Sequence, residues 1–461
     1  MDTVFSMKQF DDLIAIRSSK GRVVGFHTKN LEIARLSEQA WEQGLKLNEV
    51  RAWNSQQKSK ELSSFETDDN CEESADETQK QSHKPLNYQV RALSINVTQI
   101  CNLHCTYCAA GGDGSYGDPV KKIAVDKTLP QIQFFMGKLS PGDEFRLTFL
   151  GGEPLLYPEA ILLLAEYAQE FAAVRQIKTQ FVVVTNGTQF TERNIEILDK
   201  IKANITISLD GPPEVNDLLR PNRAGFGVTH SIIAGLRSLL DQKKQSKKNI
   251  GSVGISGVFG SKNLNLEKAY RFYSEFPVQW FDFTYDHLET REQVNWEFTQ
   301  ELLHVGALAF AKGGEQELRR IKIFDQYFQV FDSQKINNNY CGAGKTFLMV
   351  DARNQIYTCP WVVGDSKEVV GQGTTLFQEK LSGYSQDLIV QNNCQNCWAS
   401  AICGGGCMYI HKNKTGDKHQ VDPNFCSRTR ELIATSLLYY EESRGLSTQV
   451  QEVIEGEQIL G

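Results

Sequence analysis

Eleven cysteines divide this 461-residue chain before any helix or strand is assigned. One stands at Cys71 and three at Cys101, Cys105 and Cys108; none follows until Cys341, where a series of seven begins that ends at Cys426. The opening residues, Met-Asp-Thr-Val-Phe-Ser-Met-Lys, lack the basic and then apolar regions of a secretory signal. No apolar run reaches the roughly 18 residues of a membrane span. The expectation is a cytoplasmic chain with no membrane partner, where cysteines serve as metal ligands or catalytic groups rather than disulfides. With 49 basic against 56 acidic residues and a net charge of −7, no basic footprint for nucleic acid is present.

The first thiol group follows an extended alternating run, Leu93–Val97, and so sits on a loop leaving a strand. A structural zinc takes four closed ligands from two separated pairs, which three thiolates in eight residues do not supply. Three thiolates do suit a 4Fe–4S cluster with one iron open to a substrate or cofactor. After the next strand candidate, Phe145–Leu150, stands Gly151-Gly152-Glu153-Pro154. Two glycines let backbone approach a ligand closely, and the carboxylate that follows can accept from an ammonium group.

Cys101-x3-Cys105-x2-Cys108 followed by this glycine motif resembles the radical S-adenosylmethionine enzymes. That resemblance implies a 4Fe–4S cluster on Cys101, Cys105 and Cys108, with S-adenosylmethionine chelated by the open iron. It puts Tyr107 beside the adenine and Gly151, Gly152 and Glu153 at the methionine amino group. It places Asn186, Ser208 and Asp210 near the ribose or carboxylate. Arg220 and Arg223 are further candidates for gripping a carboxylate bidentately. Reductive cleavage of the cofactor would give a 5′-deoxyadenosyl radical that removes a substrate hydrogen.

Strand candidates at 93–97, 145–150, 181–185, 205–209, 253–259 and 280–285 alternate with amphipathic stretches near 125–139, 159–173, 191–202, 228–241 and 264–275. Six βα repeats in series predict an α/β fold with a parallel sheet and helices outside. The resemblance makes this a partial six-stranded (βα)6 barrel over 89–312, with active-site residues at the carboxyl ends of strands. Asp282, Tyr285, Asp286 and His287 would then end the sixth strand facing the substrate.

Around this core, residues 1–50 read as a small α+β domain. Strands at Leu13–Ile16 and Val23–Phe26 flank a turn, and a helix is expected over Leu31–Leu45. Peptide-modifying members of the family carry a winged-helix-like leader-recognition domain at this end, which implies a peptide-docking edge. Residues 51–88 are polar and acidic, too poor in apolar groups to order, and include Cys71. A helical bridge covers 313–340, a cysteine-rich region 341–430, and a helix with a tail 431–461.

The spacing Cys394-x2-Cys397-x5-Cys403-x3-Cys407 could hold one zinc. With Cys341, Cys359 and Cys426 it resembles the seven-cysteine SPASM extension, which holds two auxiliary iron–sulfur clusters. By position, Cys394, Cys397, Cys403 and Cys426 would hold one, and Cys341, Cys359 and Cys407 three corners of the other. Gly404-Gly405-Gly406 would turn the chain between ligands of different clusters. Where the family has glycine five residues before its second cysteine, Asn354 stands here, a residue that tolerates a left-handed conformation.

The expected function is peptide maturation. A precursor peptide would dock by its leader and receive a C–C or thioether cross-link, with electrons from a flavodoxin- or ferredoxin-like reductant and room for an accessory protein. One alternative is oxidation of a Ser or Cys side chain, as in sulfatase-maturing relatives. Those carry an Asp after the second cysteine of the extension, where this chain has Pro360. The other is a non-enzymatic iron–sulfur electron carrier.

Overall fold

The computed structural model describes residues 4–10, 12–43, 89–108, 122–245 and 248–445. Cys71 and the expected linker therefore lie outside the described residues. Strands β1 (Val4–Phe10), β2 (Leu13–Ser18), β3 (Val23–His27) and β4 (Ile33–Leu36) form an antiparallel sheet in that order. The expected helix over 31–45 is corrected: Ile33–Leu36 pairs with β3 as a strand, and among the described residues only Glu38–Gln43 is helical. Ile33 and Leu36 have helical spacing, but pairing Ile33 with Phe26 and Leu36 with Val23 satisfies the backbone across the sheet instead. A four-stranded meander with one short helix replaces the winged-helix-like domain among the described residues.

The second sheet carries the six expected strands: β5 (Ala92–Thr98), β6 (Glu144–Gly151), β7 (Lys178–Thr185), β8 (Asn204–Ser208), β9 (Val253–Phe259) and β10 (Trp280–Tyr285). Each is parallel to its predecessor. Between them run the helices Val125–Met136, Pro158–Arg175, Glu192–Lys200, Thr229–Lys244 and Leu266–Tyr273, close to the amphipathic stretches read from the sequence. Leu93, Ile95 and Val97 of β5 and Phe145, Leu147 and Phe149 of β6 are wholly buried, as a sheet covered by helices requires.

Among the described residues the sheet does not close, and it is wider than expected. β11 (Phe347–Val350), from the cysteine-rich region, adds in parallel to the free edge of β5, pairing Phe347 with Ala92 through Val350 with Ile95. β12 (Gln355–Tyr357) and two shorter antiparallel strands continue it. The cysteine-rich region is thus bonded directly to the strand from which Cys101 emerges. No periodicity marked Phe347–Val350 as a seventh parallel strand, because four apolar residues fit a buried helix turn equally well.

The helix that starts at Glu292 breaks at Gly313–Gly314, where Gly314 takes φ +59°, and the last helix runs Pro423–Arg444. That last helix also holds the N-terminal sheet: its wholly buried Glu441 receives Arg35 at 2.7 Å and Arg22 at 3.6 Å.

Asn354 sits at φ +64°, the left-handed conformation that its place in the motif implied. Its buried side chain donates to Thr128 Oγ1 at 2.6 Å and Gln131 Oε1 at 3.1 Å, locking the β11–β12 turn onto the helix Val125–Met136. Asn354→Ala should cost about 2–4 kcal/mol, from left-handed strain plus orphaned polar partners. Asn354→Gly should cost less, since glycine relieves the strain alone. Chemical unfolding of both variants checks the order; equal losses would show that the left-handed strain contributes nothing.

Candidate active site

The loop from Gln99 to Cys108 leaves β5 and is fastened on three sides. On the first, Gly152 N–H donates to Thr98 O at 2.7 Å and Glu153 N–H to Ile100 O at 2.9 Å. A side chain at Gly152 would place its Cβ 2.2 Å from Ile100 O, and Gly151 holds φ +145° with its own Cβ position 2.3 Å from Thr98 O. Only glycine allows that approach. On the second side, His104 N–H donates to Pro221 O at 2.8 Å, Thr106 N–H to Leu219 O at 2.9 Å, and Arg223 Nε to Cys101 O at 2.8 Å. On the third, Asn186 Nδ2 donates to Asn102 Oδ1 at 2.9 Å and lies 3.6 Å from Cys101 Sγ.

The three thiols feel one another's charge. Burial pushes Cys105 up to about 12, with Arg220 opposing and Cys108 and Cys101 adding to the rise. Burial also raises Cys101, and Glu153 and Cys108 reinforce it. Such thiols ionise when a strongly positive centre takes them as ligands. Among the described residues no three Cys, His, Asp or Glu donors gather closely enough for a single metal ion. Iron–sulfur clusters bind each thiolate on a different iron, so spread thiols on a rigid loop fit that group.

The expected cofactor residues are brought to this end of the sheet, but several are engaged with the protein itself. Glu153 is wholly buried and accepts from Leu155 N at 3.0 Å, Thr185 Oγ1 at 2.7 Å and Asn186 N at 2.7 Å, tying the ends of β6 and β7. Asp210, also buried, accepts from the Tyr107 hydroxyl, from Arg220 Nε at 2.9 Å and Nη2 at 3.1 Å, and from Val258 N at 3.0 Å. Arg220 does grip a carboxylate bidentately, and the carboxylate is Asp210. Its guanidinium also lies over the Tyr107 ring, 5.3 Å from the centroid. Ser208 ends β8, half-buried, in register with Ser256 of β9.

The seven C-terminal thiols sort by mutual charge. Burial pushes Cys403 up to about 12, helped by Cys426, Cys394 and Cys397. Burial likewise raises Cys394 to about 11, with Cys397 and Cys426 adding. Cys407 is raised to about 11 by burial, with Cys341 adding, and Cys359 is raised by burial, with Cys407 and Cys341 adding. Cys394, Cys397, Cys403 and Cys426 thus act on one another, as do Cys341, Cys359 and Cys407. Between Cys403 and Cys407, Gly404, Gly405 and Gly406 all hold positive φ, and a side chain at Gly406 would meet the His411 ring at 2.5 Å.

At the end of β10 the expected residues part company. Asp282 pairs with Lys322 at 2.9 Å, and Tyr285 is buried beneath Arg428, 4.7 Å from its ring centroid. His287 meets Trp361 edge-on at 4.9 Å and Tyr409 at 6.0 Å between centroids. Sequence reasoning missed Asn102, Trp361, Tyr409 and Arg428. Each lies within two residues of a candidate ligand cysteine, which was the available signal.

Gly152→Ala should displace the loop and sharply lower iron uptake on anaerobic reconstitution, measured by iron content and visible absorption; unchanged uptake would deny the tight approach any role. Burial lifts Glu153 to about 7 against 4.5 for the free side chain. The folded chain holds that proton more tightly, so the stabilisation is full below pH 4.5 and falls by about 1.4 kcal/mol per unit as pH rises to about 7. Unfolding measured between pH 5 and 7 should show this slope and lose much of it in Glu153→Gln.

The fold and part of the sequence match known proteins. Residues 95–261 match the family model of the Radical SAM superfamily. A cysteine-type anaerobic sulfatase-maturating enzyme from Clostridium perfringens is 24% identical over 362 residues, spanning 72% of this chain and 92% of its own. The solved structure of native anSMEcpe with bound AdoMet and Cp18Cys peptide superposes with a TM-score of 0.62 at 19% identity, over 77% of this chain and 99% of that one. Streptococcus suis SuiB bound to precursor peptide SuiA superposes at 0.50 and 14% identity, over 92% of this chain and all of that one. The segment that carries the cysteine loop, its glycine anchor and Asp210 is a radical SAM domain.

Proposed function

We propose that this enzyme matures a ribosomally made precursor peptide, installing a C–C or thioether cross-link. The observation that carries the reading is the division of the seven C-terminal thiols into four and three, on a region bonded through β11 to the strand bearing Cys101. When bound, S-adenosylmethionine and the clusters would supply a 5′-deoxyadenosyl radical to remove hydrogen from an unactivated C–H bond and an acceptor for the electron lost on ring closure.

The chain's own residues orient and shield. Cys101, Cys105 and Cys108 would hold the first cluster, Cys394, Cys397, Cys403 and Cys426 the second, and Cys341, Cys359 and Cys407 the third. Gly151 and Gly152 leave the backbone bare where the methionine end of the cofactor would approach. Asp210 and Arg220 hold the Tyr107 ring in one orientation for the adenine, and Asn186 steadies the loop through Asn102. The edge strand β1 or β4 would take the leader as an added strand, and a flavodoxin- or ferredoxin-like protein would supply electrons. SuiB, whose structure holds a precursor peptide, is covered end to end by this chain, which supports the reading.

Oxidation of a Ser or Cys side chain is the second reading, favoured by the likeness to the sulfatase-maturating enzyme. Against it stands Pro360 in place of an Asp after Cys359. The products separate the two: a cross-link survives proteolysis as one joined fragment, whereas the oxidised side chain is an aldehyde that a hydrazide captures.

Reconstituted protein given dithionite and S-adenosylmethionine should release 5′-deoxyadenosine, and the Cys101→Ala, Cys105→Ala, Cys108→Ala triple variant none above background. Removing residues 1–43 should weaken capture of a precursor peptide while leaving 5′-deoxyadenosine release intact. Unchanged peptide affinity would end the docking assignment.

A further inference from the structure

Beyond β10, a cleft opens between the loop Asp286–Arg291 and the helices Met408–Thr415 and Pro423–Arg444. Its charge is uneven: Arg291, Lys414 and Arg428 line it against Glu289 and Asp422. Both acids are already engaged. Glu289 pairs with Arg291 at 2.7 Å, and Asp422 caps the last helix, accepting from Asn424 N at 3.3 Å and Phe425 N at 3.1 Å. Lys414 donates to the Glu289 carbonyl, and Arg428 donates to Asn295 Oδ1. Among the described residues neither cation has a carboxylate within ion-pair distance.

Arg428 is only 8% exposed. A buried guanidinium outside an ion pair is costly. A second group points the same way. His287 Nδ1 is buried with no hydrogen-bond partner in the described residues, beside the same cleft. Burial, with Arg428 and Lys414 adding, pushes His287 down to about 4, so at neutral pH its ring is an uncharged hydrogen-bonding group. Trp361, 37% exposed, and Tyr409 flank the ring with apolar surface. Two cations outside any ion pair among the described residues and an unpaired imidazole nitrogen suit a carboxylate.

We propose that this cleft binds the carboxylate of an aspartate or glutamate side chain in the peptide substrate, gripped by Arg428 with Lys414 and His287 alongside. The proposal rests on the maturase reading and adds a substrate requirement: an acidic residue near the modified position. The cleft lies at the carboxyl end of β10, and the Arg428 that lines it acts on the charge of Cys407. An acidic side chain held there would fix the register of a peptide crossing that end. The competing role for Arg428 is to offset the charge of the Cys341, Cys359 and Cys407 thiolates alone.

The test is equilibrium binding, without turnover, of N-acetyl-Ala-Glu-Ala-amide and N-acetyl-Ala-Gln-Ala-amide to the anaerobically reconstituted full chain. The glutamate peptide should bind at least about tenfold more tightly, the scale of one charge-assisted hydrogen bond, and the preference should shrink with salt. Arg428→Gln and Lys414→Gln should each erase most of it. Lys414 is half-buried, so its variant keeps the test decisive if Arg428→Gln fails to fold. Equal affinity for the two peptides, or a glutamate preference that survives Lys414→Gln, overturns the proposal and leaves Arg428 as a counter-charge to the thiolates. Failure of the maturase reading would show separately, as wild-type protein that releases no 5′-deoxyadenosine.

Discussion

The near-contact of two backbones, Gly151–Gly152 against Thr98–Cys101, sets the geometry of everything that follows. A loop that presents three thiols must be rigid without burying them all, because a fully covered thiol could not reach a ligand. Backbone hydrogen bonds from Gly152 and Glu153 meet that need from below, and the segment 219–223 meets it from the side. The result is graded access, with Cys101 buried, Cys105 half-buried and Cys108 exposed. The glycines serve the protein's own packing as much as any ligand, since a methyl group at either position would collide with a carbonyl of the cysteine loop.

Buried charge provides the second layer of order. Asp210 collects a phenol, a guanidinium and a backbone N–H, so one carboxylate joins the cysteine loop, β8, β9 and the loop after β8. Such a network is stable only when every member is satisfied, and here each lone pair has a donor. Glu153 does the same between β6 and β7. Both carboxylates shape the pocket by positioning neighbours, and the Arg220 charge falls next to Cys105 as a consequence.

The cysteine-rich region is continuous with the sheet. β11 extends the parallel order past β5, Asn354 bolts the following turn to the helix Val125–Met136, and Glu441 on the last helix draws in the N-terminal sheet. Chain segments more than 250 residues apart in sequence, 92–95 and 347–350, are hydrogen-bonded neighbours. The two regions richest in thiols are therefore held in one piece, which any transfer of electrons between them requires.

Sequence alone determined what is local or periodic. Six strands and five helices of the parallel core were legible because alternation and 3.6-residue spacing report burial directly. The left-handed Asn354 and the turn at Gly404–Gly406 were legible through a family pattern that marks those positions. Tertiary structure decided what depends on distant partners. It made Ile33–Leu36 a strand, added β11 at an edge only β5 could offer, and turned Arg220 onto Asp210. It also left the buried Arg428 outside any ion pair among the described residues. Hydrogen-bond partners, unlike hydrophobic faces, leave no period in a sequence: whether a buried charge is paired is known only when the fold has chosen its neighbours.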